Sequence, residues 1–147
     1  MFEKFGEMDL QELNMAAAGL KEEGDWKGLQ ALAEENGIDI ADAQDFMEGE
    51  TEELASAYSA AFGRVKIQDA ESKLPHDMKN VLYGMALVMI EDPAFAAMIM
   101  KKGKRLEGVI DAMKEEAQKH KVGNMACVCG TDRDLQMRIL KYYGGAA

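Results

Sequence analysis

The chain has 147 residues, 48% of them hydrophobic but only 7% aromatic, with twelve Met, two Pro and two Cys. That is enough apolar residue for one domain, or two small ones sharing a core, built mainly from Ala, Leu, Ile, Val and Met, and the scarcity of Pro and β-branched residues argues against a sheet. The net charge of −10 is unevenly placed, with sixteen Asp and Glu against three Lys in residues 1–63 (−13) and +3 in residues 64–147; so dense an acidic segment repels phosphate and argues against direct nucleic-acid binding.

Helix signals punctuate the chain from its start. Asp9 before LQELNMAAAGL, with Glu12 three positions on, predicts a capping box and a first helix that stops at Gly24. Asp25 opens WKGLQALAEEN, where Trp26, Leu29, Leu32 and Ala33 recur at helical spacing and Gly37 supplies a left-handed cap. Asp39 caps a third helix with Ile40, Ala43 and Met47 on one side and Gly49 at its end. A longer fourth helix is expected from Thr51 to Leu74, where Pro75 forces the stop.

Asp77 is expected to cap the fifth helix, whose Val81, Leu82, Met85, Val88 and Met89 form a broad apolar face and make it the centre of the fold. Asp92-Pro93 starts a sixth helix that Gly103 stops. Leu106, Val109, Ile110 and Met113 carry a seventh through Lys121 to Gly123, and Thr131 with Asp134 opens an eighth that ends at Gly144-Gly145. The expected fold is therefore all-α with about eight short helices, an acidic helical lobe (1–63) packed on a C-terminal helical bundle (64–147), or both as one continuous domain. The expected core comprises Leu82, Met85, Met89, Phe95, Leu106, Ile110, Met113, Leu135, Ile139 and Tyr142.

Chemistry-bearing patterns are sparse. Cys127-x-Cys129 has the wrong spacing for a structural zinc site and no nucleophile motif around it, which leaves two reduced thiols in a cytosolic protein without a metal. The N-terminus lacks a signal-peptide pattern, and the longest apolar stretch, Val81 to Ile90, is about half of the roughly 20 residues that a membrane span requires. GKRLEG at Gly103 to Gly108 is not a P-loop, and the basic cluster Lys101, Lys102, Lys104 and Arg105 fits a helix carboxyl end better than a phosphate site. LAEENGIDIADAQDFMEG has the cadence of a helix-turn-helix, but its second helix offers Asp39, Asp42, Asp45 and Glu48 where a DNA reader needs Arg, Lys, Asn or Gln. No cofactor motif and no catalytic constellation is read, so the chain is expected not to be an enzyme.

From Glu91 to Tyr143 a longer order emerges: an acidic-Pro-Ala-Phe start, Lys102-x-Lys104-x-Leu106-x-Gly108-Val109-Ile110, a helix ending Glu116-Ala117-x-Lys119, a turn at Ala126-Cys127 and a terminal Tyr142-Tyr143. This order resembles the PcfK-like family of bacterial conjugative and phage elements, which includes type II-A anti-CRISPR proteins that inhibit the RNA-guided nuclease. The resemblance implies a small cytosolic mobile-element protein that works by binding. Joined to the −13 lobe, it leads to the expectation of an anti-CRISPR-type inhibitor of a type II CRISPR nuclease, one that occupies its basic nucleic-acid channel as an acidic mimic or locks it in an inactive arrangement. The expected contacts are Asp39, Asp42, Asp45, Glu48, Glu50, Glu52 and Glu53. The alternative is a non-catalytic interaction or oligomerisation module of a conjugative element or phage, a homo-oligomer among its forms, using the Met-rich half as an adaptable apolar surface.

Overall fold

Asp9 accepts the Glu12 amide at 2.8 Å while the Glu12 carboxylate accepts the Asp9 amide at 3.0 Å, and from this closed box the chain enters α1 (Leu10–Glu22). The computed structural model describes residues 4–123 and 130–144. Among these the fold is all-α, with no β-strand and eight helices, the others being α2 (Trp26–Glu35), α3 (Ile40–Glu48), α4 (Ala57–Glu71), α5 (His76–Met89), α6 (Pro93–Ile99), α7 (Glu107–Lys119) and α8 (Asp132–Tyr142). Local side-chain caps start most of them. Asp25 accepts from the Gly28 amide, Asp39 from Ala41 and Asp92 from Ala94, while Ser56 with Ser59 and Thr131 with Asp134 close capping boxes. No described helix is long and apolar enough to cross a membrane.

The first three helices pack in chain order, α1 on α2 and α2 on α3. The most extensive helix contact joins α4 to α6; α4 also meets α5, and α8 meets both α5 and α7. α4 is thus the central helix, in place of the expected fifth. Its seat against the α2–α3 turn needs two glycines. Gly37 holds φ +67° in that turn, and a Cβ added to Gly63 would lie 2.3 Å from the Asn36 carbonyl oxygen, so backbone touches backbone. α4 runs unbroken through positions 63 and 64, and one apolar cluster extends from Leu13 to Tyr143.

Several sequence expectations need correction. α4 is capped by Ser56 rather than Thr51, whose hydroxyl donates locally to the Glu53 carbonyl. The stretch before Ser56 is instead drawn onto α1, where the Asn14 side-chain amide pairs with both the N–H and the C=O of Ala55. α5 starts one residue before Asp77, and α7 ends at Lys119. Of the expected core, Leu82, Phe95, Leu106, Ile110 and Ile139 are buried, while Met85, Met89, Met113, Leu135 and Tyr142 are half-buried around it. Tyr143 rather than Tyr142 is fully buried, edge-on against Phe95. Val81 and Val88 face outward.

Candidate functional site

α3 turns Ala43 and Phe46 inward, with Ile40 and Met47 half-buried beside them. The opposite side of a helix this short must then carry Asp42, Asp45 and Glu48, which recur every third residue and are all exposed. Asp39 stands at the N-cap, where its carboxylate accepts the Ala41 amide at 2.9 Å. Gly49, at φ +85°, ends the helix where the sequence places its end, so Glu52 does not join the stripe of Asp42, Asp45 and Glu48 on one helix. Glu50, Glu52 and Glu53 lie instead on the connection to α4, and all three are exposed.

The seven carboxylates therefore share one surface segment, 39–53, half helix and half loop. Glu48 accepts from the Gln44 amide at 2.8 Å. Among the described residues none of the seven forms an ion pair. Lys21, on α1, lies over the Phe46 ring at 4.6 Å from its centroid. Nor do His, Asp, Glu and Cys converge elsewhere: no group of three with metal-holding geometry exists among the described residues. Cys127 and Cys129 lie outside the described residues.

A second polar assembly was not foreseen from sequence, and it is built very differently. Arg64, only 2% exposed, reaches from α4 to the segment before α1, bonding the Glu7 carboxylate at 3.2 Å and the Met8 carbonyl at 2.6 Å. Burial pulls its guanidinium below the ordinary value, and the Glu7 carboxylate pulls the other way. Glu7 also accepts the Gly103 amide at 3.1 Å, and Glu12 binds Lys102 at 2.7 Å. Hydrogen bonding to Lys102 and to the Asp9 amide holds Glu12 below the usual carboxylate range. Gln68, buried on α4, accepts the Leu106 amide at 2.9 Å.

This assembly absorbs the basic cluster. Lys102 goes to Glu12 and Arg105 to Glu71 at 3.3 Å, while Lys101 and Lys104 donate to the Tyr143 and Tyr142 carbonyls. The lysines do serve a helix carboxyl end, but it is that of α8 rather than of the preceding helix. The signal for Arg64 was a charged residue on an otherwise small and apolar stretch, AYSAAFGRV, yet its partners are 56 and 57 positions away. Comparison with protein-family models, with curated proteins and with solved structures finds no match.

Proposed function

We propose that the protein acts by binding, and that the carboxylates of residues 39–53 engage a basic protein surface, the nucleic-acid channel of an RNA-guided type II nuclease being the target that the PcfK-like order of Glu91 to Tyr143 points to. The observation that carries this reading is seven exposed carboxylates gathered in residues 39–53, none of them with an ion-pair partner among the described residues. Along α3 the acidic positions advance by about 4.5 Å each at 1.5 Å per residue. That spacing is sparser than the one charge per roughly 1.7 Å of duplex DNA and nearer the roughly 3.4 Å of one strand. The match is thus to a single strand's line of charge. Neighbouring carboxylates also stand within a Debye length of about 8 Å, so they act on a basic groove together.

The test is a cleavage assay with purified nuclease and guide, titrating the wild type beside a variant in which Asp39, Asp42, Asp45, Glu48, Glu50, Glu52 and Glu53 become Asn or Gln. Inhibition by the wild type that weakens with salt and is lost in the variant is the expected result. Equal inhibition by both proteins discards the acidic mimicry and keeps the inhibitor. Absence of inhibition across nucleases of plausible hosts removes the function.

A further inference from the structure

α5 leaves a row of apolar side chains uncovered. Val81 is 57% exposed, Val88 59% and Met78 37%. Val81 and Val88 are seven residues apart, about two turns or 10.5 Å, and so stand on one face. Gly84 lies between them, exposed, with open space where a side chain would be. At the N-terminal end of this row the helix surface falls into a groove of about 430 Å³ between α5, α7 and the start of α8. Leu82, Ile110, Met113 and Leu135 supply its apolar walls, and Asp77, Asp132 and Asp134 its polar ones. Arg138, the cation in the lining, donates through both terminal guanidinium nitrogens, Nη1 and Nη2, to the Glu116 carboxylate.

We infer that this face is a second docking surface, independent of residues 39–53, and that its occupant is an amphipathic helix of a partner protein with an apolar stripe flanked by Lys or Arg. Charge decides among the candidates. A second copy laid on α5 sets Asp77 against Glu91 and Asp92 if antiparallel, and Asp77 against Asp77 if parallel, between two chains that each carry −10. An anionic membrane meets the same acidic groove and is repelled. A helix with cationic flanks satisfies both features at once: its apolar side chains cover Val81 and Val88 and fill the groove, and its cations meet Asp77, Asp132 and Asp134. Gly84 lets the partner backbone approach closely.

The probe is a fluorescein-labelled synthetic helix with Leu on one face and Lys on the other, and its Leu/Glu counterpart is the control. The full chain should bind the Leu/Lys peptide and not the Leu/Glu one, with amide shifts concentrated on α5, α7 and α8. The double variant Val81→Asp/Val88→Asp, folded by circular dichroism, should lose roughly tenfold or more in affinity. If that variant fails to fold, Val81→Ala/Val88→Ala with the same shift map takes its place. Shifts confined to residues 39–53, or unchanged affinity in the α5 variants, overturn the inference. So does a dimer in sedimentation that either α5 variant abolishes, because the occupant is then a second copy.

Discussion

Glu7, Asp9 and Glu12 belong to the same acidic stretch of sequence as Asp39, Asp42 and Asp45, yet the two groups differ in what surrounds them. The first three are engaged: Glu7 by Arg64 and the Gly103 amide, Asp9 and Glu12 by each other's backbone, and Glu12 by Lys102. Together they tie the segment before α1 to α4 and to the α6–α7 connection. Asp42 and Asp45 have no such partner among the described residues and point outward. A sequence charge count of −13 merges these populations. The structure separates charges that build the fold from charges that face outward.

The sharpest way to break this contrast is to remove Arg64. Arg64→Ala strips partners from Glu7 and from the Met8 carbonyl beside a packed helix, and unfolding in urea should show a loss on the order of 3 kcal/mol. Neutralising the seven acids of residues 39–53 should move stability by less than about 1 kcal/mol, in either direction. Comparable losses in the two variants would mean that the acidic face is structural after all.

Two glycines sharpen the same contrast at the level of the backbone. Gly63→Ala drives a methyl group into the Asn36 carbonyl, and neither backbone can yield easily, so about 1–3 kcal/mol of stability should be lost. Gly84→Ala meets nothing within 4 Å on an exposed turn of α5, and the gain in helix propensity should stabilise by roughly 0.5–1 kcal/mol. Thermal unfolding of both variants reads the opposite signs directly.

What was legible in the sequence follows the range of the interaction concerned. Asp9-Glu12, Asp92-Pro93 and Thr131-Asp134 announce helix starts because a cap is satisfied within three residues. The choice between Thr51 and Ser56 was not legible, since both are good capping residues and the decision rests on Asn14, 41 positions from Ala55. The central role of α4 was hidden for the same reason. The burial of Arg64 and Gln68 is satisfied only when Glu7, Met8 and the Leu106 amide are brought to them. Conversely, Val81 and Val88 belong to the apolar face expected of a largely buried helix but are exposed, because periodicity records a face and not what covers it. Asp42, Asp45 and Glu48 were legible as exposed helix positions, but their lack of cationic partners is a property of the assembled surface.

A smaller effect tests the correction at Ser56. Its hydroxyl accepts the Ser59 amide at 3.1 Å, and the Ser59 side chain accepts the Ser56 amide at 2.9 Å. Ser56→Ala should therefore cost about 1 kcal/mol, and Thr51→Ala, on the exposed acidic loop, within about 0.5 kcal/mol of nothing. Equal losses in denaturant titration would place the start of α4 nearer Thr51.

The finest distinction between engaged and outward acids lies in their response to pH. Glu12 is held below its ordinary value of 4.5 by Lys102 and the Asp9 amide, and Glu116 is held below it by Arg138. A carboxylate whose folded value lies below its unfolded one stabilises fully above the unfolded value, and that contribution fades as pH falls through the folded value. Stability should therefore decline on acidification below about 4.5, partly through these two groups. Glu12→Gln keeps a capping side chain at N3 but cannot titrate, and Glu116→Gln removes the other contribution. Each should flatten the fall of the thermal midpoint between pH 4.5 and 3, with the double variant flatter than either, the sites being on separate elements and free to add. A midpoint that falls as steeply in the double variant as in the wild type would show that neither ion pair governs the acid response.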